Sequence, residues 1–126
     1  MTTAKDIMTR TVLSVEPETP IHDAMEILLE NSITSIPVID ADGRLVGILS
    51  EADRLKMLET PPNDERPSVA NYMTPGVITV GSNTLLEQIA NLITTFGIRQ
   101  IPVMEGSDVI GVISRRDLIR ALQNAV

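Results

Sequence analysis

The chain has 126 residues, enough to bury a core without disulfides, and its lack of cysteine excludes disulfides and thiolate metal sites. A net charge of −7 and a content of one Tyr and one Phe argue against binding to DNA or RNA. No apolar run is long enough to span a bilayer, and MTTAKDIMTR at the N-terminus lacks the apolar stretch of a signal peptide. We therefore expect a cytoplasmic protein without membrane insertion.

The second half of the chain repeats the first. Met8-Thr9 matches Met73-Thr74 at an offset of 65 residues, and a one-residue loss in a later turn changes the offset to 64. Further matching pairs include Val12/Val77, Val15/Val80, Ile33/Ile98, Ile36-Pro37-Val38/Ile101-Pro102-Val103, Gly47/Gly111, Ser50/Ser114 and Asp53/Asp117. Two copies of one supersecondary unit are the natural interpretation. We expect one repeat at 1–60, a proline-rich and charged linker at 61–68, and a second repeat at 69–126.

Each repeat predicts a strand, a helix, two strands and a final helix. In the first repeat these are a β-prone stretch at 12–15, a helix with Thr19 as N-cap and Pro20 as first residue, strands at 36–40 and 45–49 joined by an Asp42-Gly43 turn, and a helix at 50–59. The second repeat gives 77–80, a helix with Thr84 and Glu87 as a capping box, strands at 101–105 and 109–113, and a helix at 114–124.

The two repeats differ in charge. Residues 1–60 carry eleven acidic and five basic side chains, whereas residues 69–126 carry four of each. A small anion should therefore prefer surfaces built from the arginines of the second half.

Three motifs occur in order in both repeats. They are a leading Met-Thr pair, Ile-x-x-Ile-Pro-Val at 33–38 and 98–103, and the pair Gly-Ile-Leu-Ser-Glu-Ala-Asp at 47–53 and Gly-Val-Ile-Ser-Arg-Arg-Asp at 111–117. Together they resemble tandem cystathionine-β-synthase (CBS) domains over about residues 5–123. The resemblance implies an α+β fold, in which two β-α-β-β-α repeats pack about a pseudo-twofold axis.

The resemblance also implies a function. CBS pairs commonly bind an adenosine-type small molecule such as AMP, ADP, ATP or S-adenosylmethionine in two clefts, act as regulatory sensors and associate into homodimers. No other domain is fused within these 126 residues, so we expect a stand-alone module that signals to an unknown protein partner and requires no cofactor.

A Ser-x-x-Asp pattern ends the last strand of each repeat, as Ser50/Asp53 and Ser114/Asp117. A carboxylate and a hydroxyl at the start of a helix can hydrogen-bond a ribose diol, and the free N–H groups there favour a phosphate. The same pattern is a capping box that needs no ligand, and the resemblance favours the ribose. Arg115 and Arg116 add positive charge in the second repeat, where the first has Glu51 and Ala52.

Each cleft of the family is assembled from both repeats, and the resemblance implies two sets of ligand contacts here. One set joins Ser114, Arg116 and Asp117, with Arg115 beside them, to Ser14, Ile33, Thr34 and Ser35. The other joins Ser50 and Asp53 to Thr79, Ile98, Arg99 and Gln100. Ile33 and Ile98 would hold the base, while the polar neighbours are equally typical of an ordinary strand entrance.

The leading interpretation is thus a ligand-binding sensor. The alternative is a structural or interaction module whose sites are unoccupied, which Glu51 favours for one cleft. An enzyme is not indicated, because His22 stands alone without a nucleophile or a second metal ligand and no phosphate loop is present.

Overall fold

The computed structural model describes residues 1–59 and 66–124. Residues 61–65 of the predicted linker lie outside the described residues. The helices and strands are, in chain order, α1 (Ala4–Ile7), α2 (Ile21–Glu30), β1 (Ser35–Ile39), β2 (Leu45–Ser50), α3 (Glu51–Glu59), α4 (Val69–Tyr72), β3 (Val80–Gly81), α5 (Leu86–Phe96), β4 (Gln100–Glu105), β5 (Asp108–Ser114) and α6 (Arg115–Asn124). The order of elements confirms the predicted repeat of helix, two strands and helix, with α1 and α4 as additions.

The chain divides into two compact units that do not follow the sequence repeats. We call Leu13–Val77 the central unit, and Met1–Val12 together with Ile78–Val126 the terminal unit. Each unit therefore combines most of one repeat with the short helix that begins the other repeat. Burial explains the exchange, since Ala4 of α1 lies in the core of the terminal unit and Val69 of α4 in that of the central unit.

Each unit contains an antiparallel hairpin with a parallel neighbour. In the terminal unit, β4 pairs with β5 from Gln100↔Ser114 to Glu105↔Asp108, and β3 lies parallel to β4. In the central unit, β1 pairs with β2, and the predicted first strand is reduced to one parallel bridge between Val15 and Val38. The predicted turn at Asp42-Gly43 is confirmed by the left-handed backbone of Gly43, with φ of 81°.

The predicted starts of the two long helices are wrong by one residue. Helix α2 begins at Ile21, because the Thr19 hydroxyl accepts the Glu16 N–H at 3.1 Å in the preceding turn. Helix α5 begins at Leu86. The Gln88 side chain accepts the Leu85 N–H at 3.0 Å, and Thr84 instead accepts the Gly81 N–H. Both threonines therefore stabilise the turn before the helix rather than its first residues.

Most buried positions of the two cores are equivalent in the two repeats. Buried residues of the terminal core are Ala4, Met8, Val80, Ile89, Ile93, Ile101, Val103, Ile113 and Leu118. Those of the central core are Val15, Ile21, Ala24, Leu28, Ile36, Val38, Leu49, Val69 and Tyr72. The Ile-Pro-Val motif is thus the buried centre of each hairpin.

A methionine lies over a glycine in each unit. A Cβ added to Gly111 would lie 2.5 Å from Met8 Sδ and 3.1 Å from Met8 Cβ, and one added to Gly47 would lie 2.8 Å from Met73 Sδ. The residue after each methionine forms a backbone bridge to the strand that carries the glycine, Thr9 to Val112 and Thr74 to Ile48. The Met-Thr and Gly motifs therefore fix the leading segment of one repeat to the sheet of the other.

Replacing Gly111 with alanine should destabilise the protein by about 1–3 kcal/mol, because the new methyl group overlaps Met8. The free energy of unfolding in urea measures this cost. Gly81→Ala is the matched control, since the nearest atom to its added Cβ is 3.9 Å away.

Met8→Ala in the Gly111→Ala background should cost less than the two single changes added together, because it removes Met8 Sδ, the atom closest to the new methyl group. Equal costs for Gly111→Ala and Gly81→Ala would contradict the close approach of Met8.

Candidate functional site

Asp117 lies where β5 ends and α6 begins, and its side chain is 9% exposed. Its Oδ2 accepts the Ser114 N–H at 2.8 Å and the Ser114 hydroxyl at 3.1 Å, while the Asp117 N–H donates to Ser114 Oγ at 3.2 Å. Ser114 thus holds Oδ2. We call Oδ1, the oxygen that Ser114 does not contact, the outer oxygen. The capping bonds that the sequence offered as an alternative to ligand binding are present.

Thr9 approaches the same carboxylate from the N-terminal segment. Its Oγ1 lies 3.3 Å from Oδ1 and 3.4 Å from Oδ2 of Asp117. Sequence reasoning missed Thr9 as a site residue. The repeated Met-Thr pair was a visible signal, but nothing in the spacing showed that the segment crosses to the sheet of the other repeat.

The arginines of the second repeat have different surroundings. The Arg115 guanidinium donates from Nε to the Ile98 carbonyl and from Nη2 to the Gly97 carbonyl, both at 3.1 Å. These bonds satisfy carbonyls just beyond the C-terminal end of α5. The Arg115 guanidinium therefore binds backbone oxygens of its own unit. Arg116 is exposed next to the start of α6. Arg120 Nη1 lies 3.7 Å from Asp117 Oδ1, beyond hydrogen-bond distance.

The central unit repeats this geometry at Asp53, whose side chain is 4% exposed. Asp53 Oδ2 accepts the Ser50 N–H at 2.8 Å and the Ser50 hydroxyl at 3.2 Å. The outer oxygen differs, because Lys56 Nζ lies 2.6 Å from Asp53 Oδ1. Lys56 is the positional counterpart of Arg120 at the offset of 64 residues.

The strand entrances lie beside the Ser-x-x-Asp pattern of their own repeat. Gln100 pairs with Ser114 across the hairpin, and the Arg115 N–H donates to the Arg99 carbonyl at 3.2 Å. In the central unit Ser35 pairs with Ser50, and the Glu51 N–H donates to the Thr34 carbonyl at 3.0 Å. These contacts place 98–100 beside Asp117, and 33–35 beside Asp53, within single units.

The other predicted contacts are placed as follows. Ile33 and Ile98 are half-buried and pack against the cores of their units, and Ser14 and Thr79 are exposed. Asp117 and Thr79 belong to the terminal unit, whereas Ser14 and Ile33 belong to the central unit. The predicted assembly of each ligand site from both repeats therefore joins residues of different units and stays a prediction.

Two other features bear on function. Across residues 1–59 and 66–124, no group of three or more His, Cys, Asp or Glu side chains is arranged to hold a metal, and no helix has the length and apolar character of a membrane span. His22 is a surface residue whose Nε2 lies 3.2 Å from Glu26 Oε1.

The terminal unit also contains an apolar groove of about 400 Å³ between α5 and α6. Its lining includes Leu86, Ala90, Ile93, Leu118, Ile119 and Leu122. Arg115 also lines the groove, which therefore lies next to Ser114 and Asp117 without including either of them.

Comparison with known proteins identifies both repeats. The family model described as CBS domain matches residues 4–60 and 69–124. Among curated proteins, the A-adding tRNA nucleotidyltransferase of Aquifex aeolicus is 29% identical over 119 residues, covering 94% of this chain. The chain spans only 14% of the length of that enzyme.

Solved CBS structures have the same fold. The crystal structure of CBSX2 in complex with AMP, a protein of Arabidopsis thaliana, superposes with a TM-score of 0.87 at 31% identity and covers 98% of each chain. The CBS domain pair of protein MJ0100 in complex with 5′-methylthioadenosine and S-adenosyl-L-methionine gives a TM-score of 0.88 at 25% identity, over 100% of this chain and 99% of that one.

Proposed function

The chain belongs to the CBS domain family, and on that basis we propose that it is a regulatory module that binds an adenosine-containing ligand and signals to a protein partner. The observation that carries this proposal is the buried carboxylate of Asp117, whose Oδ2 is fixed by two bonds from Ser114 while Oδ1 takes no part in them. Asp53 repeats the arrangement in the central unit.

The carboxylate suits a ribose diol. An ionised carboxylate is an acceptor with about four lone-pair sites, and two donors of Ser114 use Oδ2. The two hydroxyls of a ribose would donate to the remaining sites, and bonds to a charged acceptor are stronger than neutral ones. Thr9 is compatible with such a ligand, because a hydroxyl can also accept a bond.

The ligands of two similar CBS structures support adenosine as the class of ligand. CBSX2 is described in complex with AMP, and MJ0100 with 5′-methylthioadenosine and S-adenosylmethionine, so adenosine is the shared part. We extend adenosine recognition to this chain with AMP, ADP, ATP and S-adenosylmethionine as candidates. The exposed Arg116 and the N–H groups of the ten-residue helix α6 favour a phosphate-bearing ligand at Asp117. Half-buried Ile33 and Ile98 would contact the base.

We assign this module no catalytic step, since its role rests on binding and release. A ligand changes a regulatory surface only through different affinities for two states of the protein. A structural module without ligands is the second candidate, and the observed capping bonds of Ser50 and Ser114 favour it. The two candidates differ in whether Asp117 affects ligand affinity as well as stability.

Asp117→Asn should weaken AMP binding at least about tenfold, because the ribose loses its charged acceptor. The asparagine keeps an acceptor for Ser114, so unfolding should become easier by only about 1 kcal/mol. Calorimetric titration with AMP gives the affinity, and urea unfolding gives the stability.

Asp108→Asn is the matched control, because it removes the same charge from an exposed residue at the other end of β5. If the wild-type protein binds none of the four candidate ligands at millimolar concentration, the structural module is the better account. Equal affinity of the Asp117→Asn and Asp108→Asn variants would place the ligand away from Asp117.

We further propose that two copies of the chain associate through the groove between α5 and α6. Ile119 and Leu122 line the groove and are 59% and 52% exposed, and Phe96 at the end of α5 is 59% exposed. Glu87 is the only ionisable residue of α5, so two such helices can meet with little charge repulsion. A twofold dimer would bury the same face on both copies.

Leu122→Glu should shift the chain from dimer to monomer, because a charge buried at the interface without a partner is costly. Sedimentation equilibrium measures the mass, and the neighbouring exposed change Gln123→Glu is the control. A wild-type chain that sediments as a monomer at 100-fold different loading concentrations would reject the dimer.

A further inference from the structure

The two aspartate sites are not equivalent, although their Ser-x-x-Asp bonds are. In each site one carboxylate oxygen accepts both the N–H and the hydroxyl of the serine. The difference lies at the outer oxygen, which is the one a ribose would use. Asp117 Oδ1 has the Thr9 hydroxyl at 3.3 Å, whereas Asp53 Oδ1 has the Lys56 ammonium at 2.6 Å.

An ammonium and a hydroxyl at this position have opposite consequences. A hydroxyl both donates and accepts, so Thr9 can turn to accept a bond from an incoming ribose. An ammonium only donates, so Lys56, at 2.6 Å from Oδ1, competes with a ribose hydroxyl for this acceptor. The ion pair also neutralises the charge that would strengthen a bond from the ribose.

The position of Lys56 on α3 explains this contact. It lies three residues after Asp53 on α3, and residues with this spacing are neighbours on one face of a helix. The carboxylate is buried while the lysine side chain is 56% exposed, so the lysine covers the carboxylate from the solvent side. Arg120, at the same position in α6, forms a longer ion pair with Asp117, with Nη1 3.7 Å from Oδ1 and beyond hydrogen-bond distance.

We propose that Lys56 is an internal competitor that closes the Asp53 site to the ribose of an adenosine ligand, which leaves Asp117 as the working site. The inference rests on the proposed function, because it assumes that the aspartates take a ribose. The chain then binds one ligand with high affinity, and the second site opens only when Lys56 leaves the carboxylate.

The test uses calorimetric titration of AMP and of adenosine, which has the diol but no phosphate. Wild-type chain should bind one AMP, and Asp117→Asn should weaken that binding at least about tenfold. Adding Lys56→Met to Asp117→Asn should restore binding of both probes at least tenfold above Asp117→Asn alone. A further Asp53→Asn change should remove it again.

Arg120→Met in the otherwise unchanged chain is the matched control, and its AMP affinity should change less than threefold. Circular dichroism confirms that each variant is folded. Two equal AMP sites in the wild type, or no gain from Lys56→Met, would overturn the competitor role. Weaker binding after Lys56→Met would also overturn it, because Lys56 would then contact the ligand. Absence of AMP binding to the wild type would reject the proposed function itself, and the competitor with it.

Discussion

A buried carboxylate must be hydrogen-bonded, because leaving its charge unsatisfied in the protein interior is costly. Asp53 and Asp117 meet this constraint at the junction of a strand with a helix, where the serine three residues earlier supplies an N–H and a hydroxyl. The bonds fix where each helix begins and how each carboxylate is oriented. The outer oxygen is then held in place for whatever group approaches it.

The duplicated sequence keeps the same motifs in both halves, although most of the other aligned positions differ. The hairpins, the buried Ile-Pro-Val strands and the Met–Gly contacts recur in both units. Two of the differences lie next to the aspartates. Glu51 aligns with Arg115 of the second repeat, and Lys56 aligns with Arg120. The ammonium of Lys56 lies 2.6 Å from Asp53 Oδ1, whereas the guanidinium of Arg120 lies 3.7 Å from Asp117 Oδ1.

Much of the fold was predictable from sequence because the repeat supplied each element twice. The hairpins were predicted within one residue, since their apolar strands are bounded by a glycine turn and by Ser-x-x-Asp. The exchange of α1 and α4 between units was not predicted. Short helices of four residues carry almost no periodic signal, and their positions depend on tertiary burial of Ala4 and Val69.

The site was predictable in its chemistry and less so in its contacts. Spacing placed Asp53 and Asp117 three residues after a serine at the end of a strand, and the family resemblance favoured a ribose contact over a helix cap. Side-chain geometry then showed which neighbours touch the two carboxylates. The guanidinium of Arg115 donates to the carbonyls of Gly97 and Ile98, and its role as a ligand contact stays a prediction. Thr9 and Lys56 could not be assigned beforehand, because both depend on distances of the folded chain.

The most direct test of the central claim is a crystal structure of the chain grown with AMP. Our account predicts that both ribose hydroxyls lie within hydrogen-bond distance of the Asp117 carboxylate, with the Ser114 bonds retained. AMP bound with its ribose away from Asp117 would contradict it.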